Sequence, residues 1–347
     1  MKAIFGIFNI DMLPFETIDV SEKINSYLNG NTLILPKDLV FRKAFGDVFG
    51  RGKRYLQITT ATQVFNILED KYVDNIVINL SRAVNDIKIV YYFFTSPNSN
   101  WRAILSGQLY HLKSFGILSE ADLYLHVTDC NSFTEEIKDI ISKIVPNAVV
   151  SISSINQFEY PAIKITHDLA LQYPESTILY FHSKGMTHNL HSRSLQETFL
   201  LASTFENWRK NIQLMNKENK QKAGLFSSKE GWIWYNFWYA KGSYLAKCSA
   251  PEIHDFRYYY ESWLGLADPD RKLPITDSLN LFKIGNLSKQ YFTAVEADVY
   301  KENLMEKFFS HAEHKEFRIV RTPLMIYSQL KVDSFFKIFK RLIKKKK

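Results

Sequence analysis

The sequence predicts an α/β protein with a mostly parallel β-sheet, and two observations lead to this fold class. Short apolar runs alternate with segments of helical periodicity between residues 87 and 181, an order typical of parallel strands that are joined by helices. The chain has 347 residues, of which 46% are apolar and 15% aromatic. It can therefore bury a sizeable core, in one large domain or in two smaller ones.

The elements of this alternating part follow from the spacing of their apolar residues. Short continuous apolar runs are read as buried strands, and runs with apolar residues three or four positions apart are read as helices. The predicted strands are 87–94, 122–127, 148–152 and 178–181, and the predicted helices are 101–112, 134–144 and 161–172. Further on, residues 206–222 predict a solvated helix and loop, and residues 232–239 predict an additional apolar strand.

Residues 1–85 form an N-terminal region that we expect to be an α/β extension, with a role that the sequence does not reveal. Within it, Val64, Ile67 and Leu68 recur at helical spacing and indicate a helix. A short apolar run at 76–80 follows them.

The most informative segment is Ile-Leu-Tyr-Phe-His-Ser-Lys-Gly at residues 178–185, where an apolar strand ends at polar and cationic residues. His182 and Lys184 occupy alternate positions and therefore project from the same side of an extended backbone. Gly185 allows a tight turn or the close approach of a ligand. Open α/β sheets bind ligands beyond the carboxyl ends of their strands, and hydrogen-bond donors there suit a phosphate or diphosphate. The alternative, a strand that ends in a solvated turn, stays open.

The net charge of +8 is concentrated at the end of the chain. Residues 331–347 contain eight basic residues and one aspartate, so this tail carries +7 and the other 330 residues carry only +1. The basic residues are interleaved with Phe, Ile and Leu, which predicts a basic amphipathic helix that binds the surface of anionic membranes. The alternatives are a solvated tail and a segment that packs on the domain. A nucleic-acid-binding protein would spread its basic residues over a folded face, so we expect no nucleic-acid partner.

The cysteines and the apolar runs indicate a cellular location. Cys130 and Cys248 lie far apart and neither belongs to a Cys-x-x-Cys pair, which argues against a structural zinc site and a disulfide framework. No apolar run approaches the ~18 residues that a membrane span needs, and no cleavage site follows residues 1–10. We therefore expect a cytoplasmic protein that is peripheral to the inner face of the membrane.

Two later segments give the strand-end motif a context. Residues 235–245 read Tyr-Asn-Phe-Trp-Tyr-Ala-Lys-Gly-Ser-Tyr-Leu, and residues 257–265 read Arg-Tyr-Tyr-Tyr-Glu-Ser-Trp-Leu-Gly. Together with the His-Ser-Lys-Gly strand end, they resemble a bacterial and viral glycosyltransferase family found among surface-polysaccharide and rhamnan-synthesis proteins. The resemblance covers residues 86 to about 300 and rests on the order and spacing of the motifs.

The resemblance implies a fold and an activity. It implies a single Rossmann-like domain of the GT-A type over residues 86–330, because residues 230–347 do not supply the second nucleotide-binding half of a GT-B enzyme. The implied activity is the transfer of a sugar from a nucleotide-sugar donor to a surface glycan, such as a capsule or lipopolysaccharide, or to a lipid-linked acceptor. A sugar-phosphate transferase remains possible within the same enzyme class.

The strand end departs from the usual GT-A pattern, in which an Asp-x-Asp motif holds a divalent metal on the donor diphosphate. Here His182, Ser183 and Lys184 stand in that place. The resemblance therefore implies that Lys184 and His182 neutralise the leaving diphosphate without a metal ion, and we expect no bound cofactor. The alternative metal site is Asp268-Pro269-Asp270, although its proline and flanking charges are more typical of a surface turn.

Transfer to a hydroxyl needs a group that accepts its proton, and Glu261 is the candidate. The resemblance places an acidic residue in a helix at this position. Neighbouring aromatic residues, among them Trp263, would desolvate the carboxylate and stack on the acceptor sugar. Asp255 is the rival base. The alternative is that Glu261 is an ordinary surface residue beside a packed core.

The remaining predicted contacts follow from position. Phe94 and Thr95 end the first strand and Asp129 follows the second, where a nucleotide would lie in such a sheet; with Ser183 and Gly185 they are the expected donor-binding residues. In the resembling family, Phe237 and Trp238 would line the acceptor side, although core packing explains them nearly as well. Outside the enzyme class, a non-catalytic scaffold that docks at the membrane would explain the tail, but it has no need for His182, Lys184 and Glu261 together.

Overall fold

The computed structural model describes residues 1–9, 12–50, 52–61, 63–80, 86–183, 186, 191–265, 277–282 and 290–315. Several sequence-based predictions concern positions outside these ranges. They are the roles of Lys184 and Gly185, the alternative metal ligands Asp268 and Asp270, and the basic tail 331–347. These stay predictions.

The N-terminal region is built mainly from antiparallel strands. Its elements are β1 (Lys2–Phe8), β2 (Pro14–Asp19), α1 (Ser21–Ile24), β3 (Leu28–Asn29), β4 (Thr32–Leu35), α2 (Phe41–Phe45), β5 (Arg54–Thr59), β6 (Val64–Leu68) and β7 (Ile76–Asn79). They form a four-stranded sheet in the order β2-β1-β5-β6 and a three-stranded sheet in the order β3-β4-β7. The two helices have only four and five residues, so the expected α/β extension is mostly β.

The segment around Val64 is a strand, and the helix indicated there is wrong. Phe65 and Ile67, two positions apart, are both buried in the core that the two N-terminal sheets share. Asn66 between them accepts a hydrogen bond from the side chain of Gln57 on β5 at 2.9 Å. Contact with a neighbouring strand overrides the helical spacing of a run this short.

The larger region contains strands β8–β14 and helices α3–α10. The strands are β8 (Ile87–Phe94), β9 (Ala121–Thr128), β10 (Val149–Ser153), β11 (Thr177–His182), β12 (Lys222–Gly224), β13 (Trp238–Lys241) and β14 (Ser278–Asn280). The helices are α3 (Trp101–Ser114), α4 (Thr134–Ile144), α5 (Tyr160–Gln172), α6 (His191–Phe205), α7 (Trp208–Lys217), α8 (Gly242–Leu245), α9 (Tyr258–Ser262) and α10 (Ala294–Lys315).

These strands form one sheet of seven in the order β10-β9-β8-β11-β13-β12-β14. In the described chain, six of them run in one direction and β13 runs against them. The predicted α/β class with a mostly parallel sheet is therefore confirmed. The predicted strands and helices between residues 87 and 181 are all present, with ends that shift by one or two residues.

Both faces of the central strands are buried, which explains their continuous apolar sequences. Along β8, Tyr91 and Phe93 face the core that lies against α3, α4 and α6, whereas Val90 and Tyr92 face the core against α5 and α8. The same alternation along β11 places Tyr180 on the α5 side, and His182, two positions further, follows it. Among the described residues, no helix is long and apolar enough to cross a membrane.

Candidate active site

The site lies where the order of the strands reverses. From β8 the chain moves outward through β9 and β10, and then returns to place β11 on the other side of β8. The carboxyl ends of β8 and β11 are consequently adjacent. The amide of Phe94 donates a hydrogen bond to Ser183 Oγ at 3.0 Å, and the amide of Ser183 donates to the carbonyl of Tyr92 at 2.9 Å. Ligands bind in the crevice at such a point in doubly wound sheets.

Thr95 and Asp129 lie together at the end of β8 and β9. Thr95 Oγ1 donates to Asp129 Oδ1 at 3.1 Å. Asp129 Oδ1 also accepts a hydrogen bond from the amide of Asn131 at 3.1 Å, and Asp129 Oδ2 accepts one from the hydroxyl of Thr134 at 3.0 Å. The Asp129 side chain therefore closes the turn into α4, and the residue is only 3% exposed. Contact with a nucleotide stays a prediction for these two residues.

His182 ends β11 in a buried pair with Glu159. Its Nδ1 lies 2.8 Å from Glu159 Oε1, and its Nε2 lies 3.3 Å from the carbonyl oxygen of Tyr235. A backbone carbonyl and a carboxylate both only accept hydrogen bonds. Each ring nitrogen therefore faces an acceptor, so His182 joins the end of β11 to Glu159 and to the turn at Tyr235.

Glu159 is held by two further donors. It lies just before α5, where the positive end of the helix favours a carboxylate. Its Oε2 accepts the hydroxyl of Tyr180 at 2.7 Å and the side-chain amide of Asn236 at 2.6 Å. Burial and the nearby Glu159 carboxylate raise the pKa of Tyr180 well above its usual range, so this hydroxyl keeps its proton. These two hydrogen bonds and the contact with His182 hold the Glu159 side chain in place.

The turn that covers His182 has an unusual backbone. Tyr235 and Asn236 are consecutive residues with φ of 70° and 58°, in the left-handed region that residues other than glycine rarely adopt. Each such residue costs on the order of 1–3 kcal/mol and persists only where its surroundings fix it. Here Asn236 Oδ1 accepts the indole N–H of Trp238 at 2.7 Å, and the Tyr235 hydroxyl donates to Asp298 at 2.6 Å. The two strained residues contact His182 and Glu159 and therefore belong to the proposed site.

Sequence reasoning missed Glu159, Tyr235 and Asn236. Asn236 belongs to the quoted Tyr-Asn-Phe-Trp segment, so its position was visible although its role was not. Glu159 precedes α5 and is 23 residues away from His182 along the chain. Only the packing of α5 against the sheet brings the two together.

Glu261 is in a helix, as expected. It lies in α9 and is half-buried at the edge of a cavity of about 320 Å³, together with Trp232, Ile233, Trp234, Phe256, Tyr258 and Ser262. Burial raises the pKa of Tyr180 and of Tyr235, and the charge of Glu261 contributes to both shifts. Glu261 is therefore close to the residues that surround His182.

The aromatic residues predicted for acceptor binding are buried. Phe237, Trp238 and Trp263 are at most 1% exposed. Trp238 stacks on Tyr180 with ring centroids 5.1 Å apart, and the Trp263 indole N–H donates to the carbonyl of Ser249 at 3.1 Å. These side chains belong to the packed core beside the site and expose almost no surface to a sugar. Their contact with an acceptor stays a prediction, and the exposed aromatic surface lies instead around the Glu261 cavity.

Across the residues that the structure describes, no group of three or more His, Cys, Asp or Glu side chains is arranged to hold a metal ion. The Asp268-Pro269-Asp270 alternative lies outside them. Comparison of the sequence with protein-family models and with curated proteins gave no match. The function is therefore argued from the geometry of the site and from the motifs of the chain.

Proposed function

We propose that this protein is a glycosyltransferase that moves a sugar from a nucleotide-sugar donor to a surface glycan or a lipid-linked acceptor. The observation that carries the proposal is the position of His182, paired with the buried Glu159 at the carboxyl end of β11, where the strand order reverses. Nucleotides bind at this place in doubly wound sheets. The motif order in residues 178–185, 235–245 and 257–265 supports the same activity.

His182 and Lys184 have different roles in this proposal. Because His182 pairs with the buried Glu159, it anchors the end of β11. His182 is then a positioning residue. The positive charge at the leaving diphosphate would come from Lys184, two residues further along the chain. A donor that is fixed in advance stabilises developing negative charge without reorganisation.

Glu261 takes the proton of the acceptor. The acceptor hydroxyl oxygen forms a bond to the anomeric carbon while the bond from that carbon to the diphosphate oxygen breaks. The electron pair of the broken bond leaves with the nucleoside diphosphate, and the hydroxyl proton passes to the Glu261 carboxylate. Asp255, the rival base, is exposed and does not line the Glu261 cavity.

The proposed association with the membrane rests on the sequence of the tail. Basic residues close to an anionic surface contribute about 1 kcal/mol each, and residues 331–347 carry +7. An enzyme that acts on a lipid-linked acceptor would be held beside its substrate in this way. The protein would then be peripheral to the inner face of the membrane.

A thermal-shift screen against nucleotide sugars, with and without manganese, tests the proposal. Specific binding stabilises the folded state by mass action, by about 2.7 kcal/mol at a ligand concentration of 100 times Kd. We expect at least one nucleotide sugar to raise the melting temperature without manganese. If no nucleotide sugar does so under either condition, the proposed function is wrong.

The Lys184→Ala variant then tests the diphosphate site. We expect it to fold normally and to lose transfer by the equivalent of roughly 2–4 kcal/mol in transition-state stabilisation. His182→Ala should lose less, because His182 is paired with Glu159 and acts as a positioning residue. Lys229→Ala is the matched control, since Lys229 is exposed and does not line the Glu261 cavity. A well-folded Lys184→Ala protein with most of its activity would contradict the role of Lys184.

A further inference from the structure

The cavity beside Glu261 has an unusual lining for a protein surface. Phe256 is 59% exposed and Tyr258 is 49% exposed, although large aromatic side chains normally bury most of their area. Trp232 and Trp234, both half-buried, complete the aromatic walls. Exposed aromatic side chains grouped in this way mark a binding surface.

The rings are arranged as two edge-on or tilted pairs. The Trp232 and Trp234 rings are 5.7 Å apart at 89°, and the Phe256 and Tyr258 rings are 5.3 Å apart at 59°. The pairs therefore present ring faces in different directions around one space. A pyranose ring has an apolar face of C–H groups that packs on an aromatic face, while its hydroxyl groups remain at the rim for polar partners. Glu261 and Ser262 supply such partners.

The size of the cavity also fits a small sugar unit. Its volume of about 320 Å³ is at the lower end of the ~300–1,000 Å³ that is typical of small-molecule sites. The cavity is open to solvent on the side of Phe256 and Tyr258, so a longer glycan can continue outward from the bound unit. A neutral chain also avoids bringing a second negative charge to the Glu261 carboxylate.

A hydrogen bond holds one of the lining residues in place, and a cation lies over the ring of another. The indole N–H of Trp234 donates to the carbonyl of Phe292 at 2.8 Å. The guanidinium group of Arg257 lies 4.7 Å from the centre of the Tyr258 ring. A binding surface that is ordered before the ligand arrives loses less conformational entropy on binding.

The cavity lies next to the residues that contact His182 and Glu159, on the Trp234 side and on the Glu261 side. Trp234 immediately precedes Tyr235, whose carbonyl contacts His182. On the other wall, Asn236 holds Glu159 and also lies 3.4 Å from the carbonyl of Tyr260, the residue before Glu261. A sugar in this cavity would consequently lie beside the proposed base and next to the residues that contact His182 and Glu159.

We infer that this cavity is the acceptor subsite and that it binds a neutral pyranose unit of the acceptor glycan against Trp232, Trp234, Phe256 and Tyr258. The inference rests on the proposed function for its direction of transfer. Sugar binding itself does not require activity, so it can be measured separately. The aromatic contacts that sequence analysis assigned to Phe237, Trp238 and Trp263 would then belong to these more exposed neighbours.

Saturation-transfer NMR with a panel of methyl pyranosides, which carry no aromatic group, tests the inference on the full-length protein. We expect at least one glycoside to bind the wild-type protein. Phe256→Ala and Tyr258→Ala should each weaken its binding by roughly 2- to 12-fold, the loss expected for one aromatic contact. Their exposure means that either change should leave the fold intact. Tyr258→Phe keeps the ring and should retain most of the affinity.

Phe49→Ala is the matched control, since Phe49 is 91% exposed in the N-terminal region and lies outside the cavity. Unchanged binding in Phe49→Ala together with weakened binding in the two cavity variants supports the subsite. Equal binding in all variants, or no binding of any glycoside to the wild type, overturns it. If glycosides bind at the cavity but no nucleotide sugar stabilises the protein, the subsite stands and the proposed transferase activity fails.

Discussion

At the scale of single residues, the site depends on a buried ion pair whose partners come from distant parts of the chain. His182 ends an apolar strand and could be recognised from the sequence, because a polar side chain after a buried strand marks the edge of a sheet. Glu159 could not be recognised, since an acidic residue before a helix is common as a cap. The difference is physical: strand ends are set by local sequence, whereas the pairing depends on how α5 packs.

Replacing Glu159 by Gln should destabilise the protein. The substitution keeps the size of the side chain but replaces the buried carboxylate that contacts His182, Tyr180 and Asn236 with an amide. Breaking a buried pair by removing one partner typically costs about 3–5 kcal/mol. Chemical denaturation measures the loss. Glu175→Gln, an exposed change near the start of β11, is the control, and equal stability of the two variants would contradict a stabilising role for the Glu159 pair.

Glu261→Gln should lower turnover strongly and leave donor binding unchanged, because the amide cannot accept the proton of the acceptor hydroxyl. The loss expected for a general base is about 100- to 10,000-fold. Steady-state kinetics and the donor thermal shift measure the two effects separately. Asp255→Asn, Asp268→Asn and Asp270→Asn should each have a much smaller effect. If the Asp268 and Asp270 changes instead abolish activity together with a manganese requirement, the proposal of a metal-free site is wrong.

At the scale of elements, the sequence predicted the strands that are buried on both faces. The strand β8 and the helix α4 have the predicted ends, because a continuous apolar run and a clear helical stripe leave little ambiguity. The strands β12 and β14 have only three residues each, too few for an alternation of apolar and polar residues that would predict a strand. The sequence predicts one strand over residues 232–239. In the structure, tertiary contacts hold a strained turn at Tyr235, and the strand begins only at Trp238.

The pairing of β9 with β10 should make stability depend on pH through His126. This residue is buried, and its two ring nitrogens lie 2.8 Å from Ser151 Oγ and 3.2 Å from Ser153 Oγ on β10. Burial lowers the pKa of His126 from 6.5 to about 4. As pH falls through 6.5, the unfolded chain therefore binds a proton before the folded one does, and stability decreases until about pH 4.

Comparison with His126→Gln isolates this contribution, because His111 has a similarly lowered pKa of about 4 and titrates in both proteins. We expect the wild type to lose about 3 kcal/mol more than the variant between pH 7 and pH 4. Urea denaturation at a series of pH values measures the difference. Parallel curves for the two proteins would show that His126 is protonated as readily in the folded state as in the unfolded chain.

At the scale of the whole molecule, the N-terminal region contacts the main sheet near the amino ends of its strands, whereas the proposed site lies at their carboxyl ends. Gly116, just before β9, has a φ of 72°, and a Cβ atom there would lie 2.5 Å from the carbonyl oxygen of Asn66 on β6. Nearby, the side chain of Gln213 on α7 donates to the carbonyl of Asp74 at 3.1 Å. These contacts are at the amino ends of β9 and β12. The N-terminal region is thus packed against the domain away from the strand ends that form the crevice.

Deleting residues 334–347 should separate membrane binding from catalysis. The deletion removes seven basic residues with the Phe, Ile and Leu residues between them, and none of the proposed site residues. We expect activity on a short soluble acceptor to be nearly unchanged. Binding to anionic vesicles should fall sharply and binding to neutral vesicles should change little, because the attraction is largely Coulombic and is screened within about 10 Å at ~0.1 M salt.

Vesicle sedimentation at several salt concentrations measures the binding of the full-length and truncated proteins. A variant in which the basic residues of 334–347 are replaced by Gln, with the apolar residues kept, is the matched control. It should lose binding to anionic vesicles as the deletion does, because charge dominates the attraction. If the truncated protein unfolds, the segment belongs to the folded domain. If it binds anionic vesicles as well as the full chain does, the tail does not attach the protein to the membrane. The acceptor would then have to reach the crevice without help from the tail.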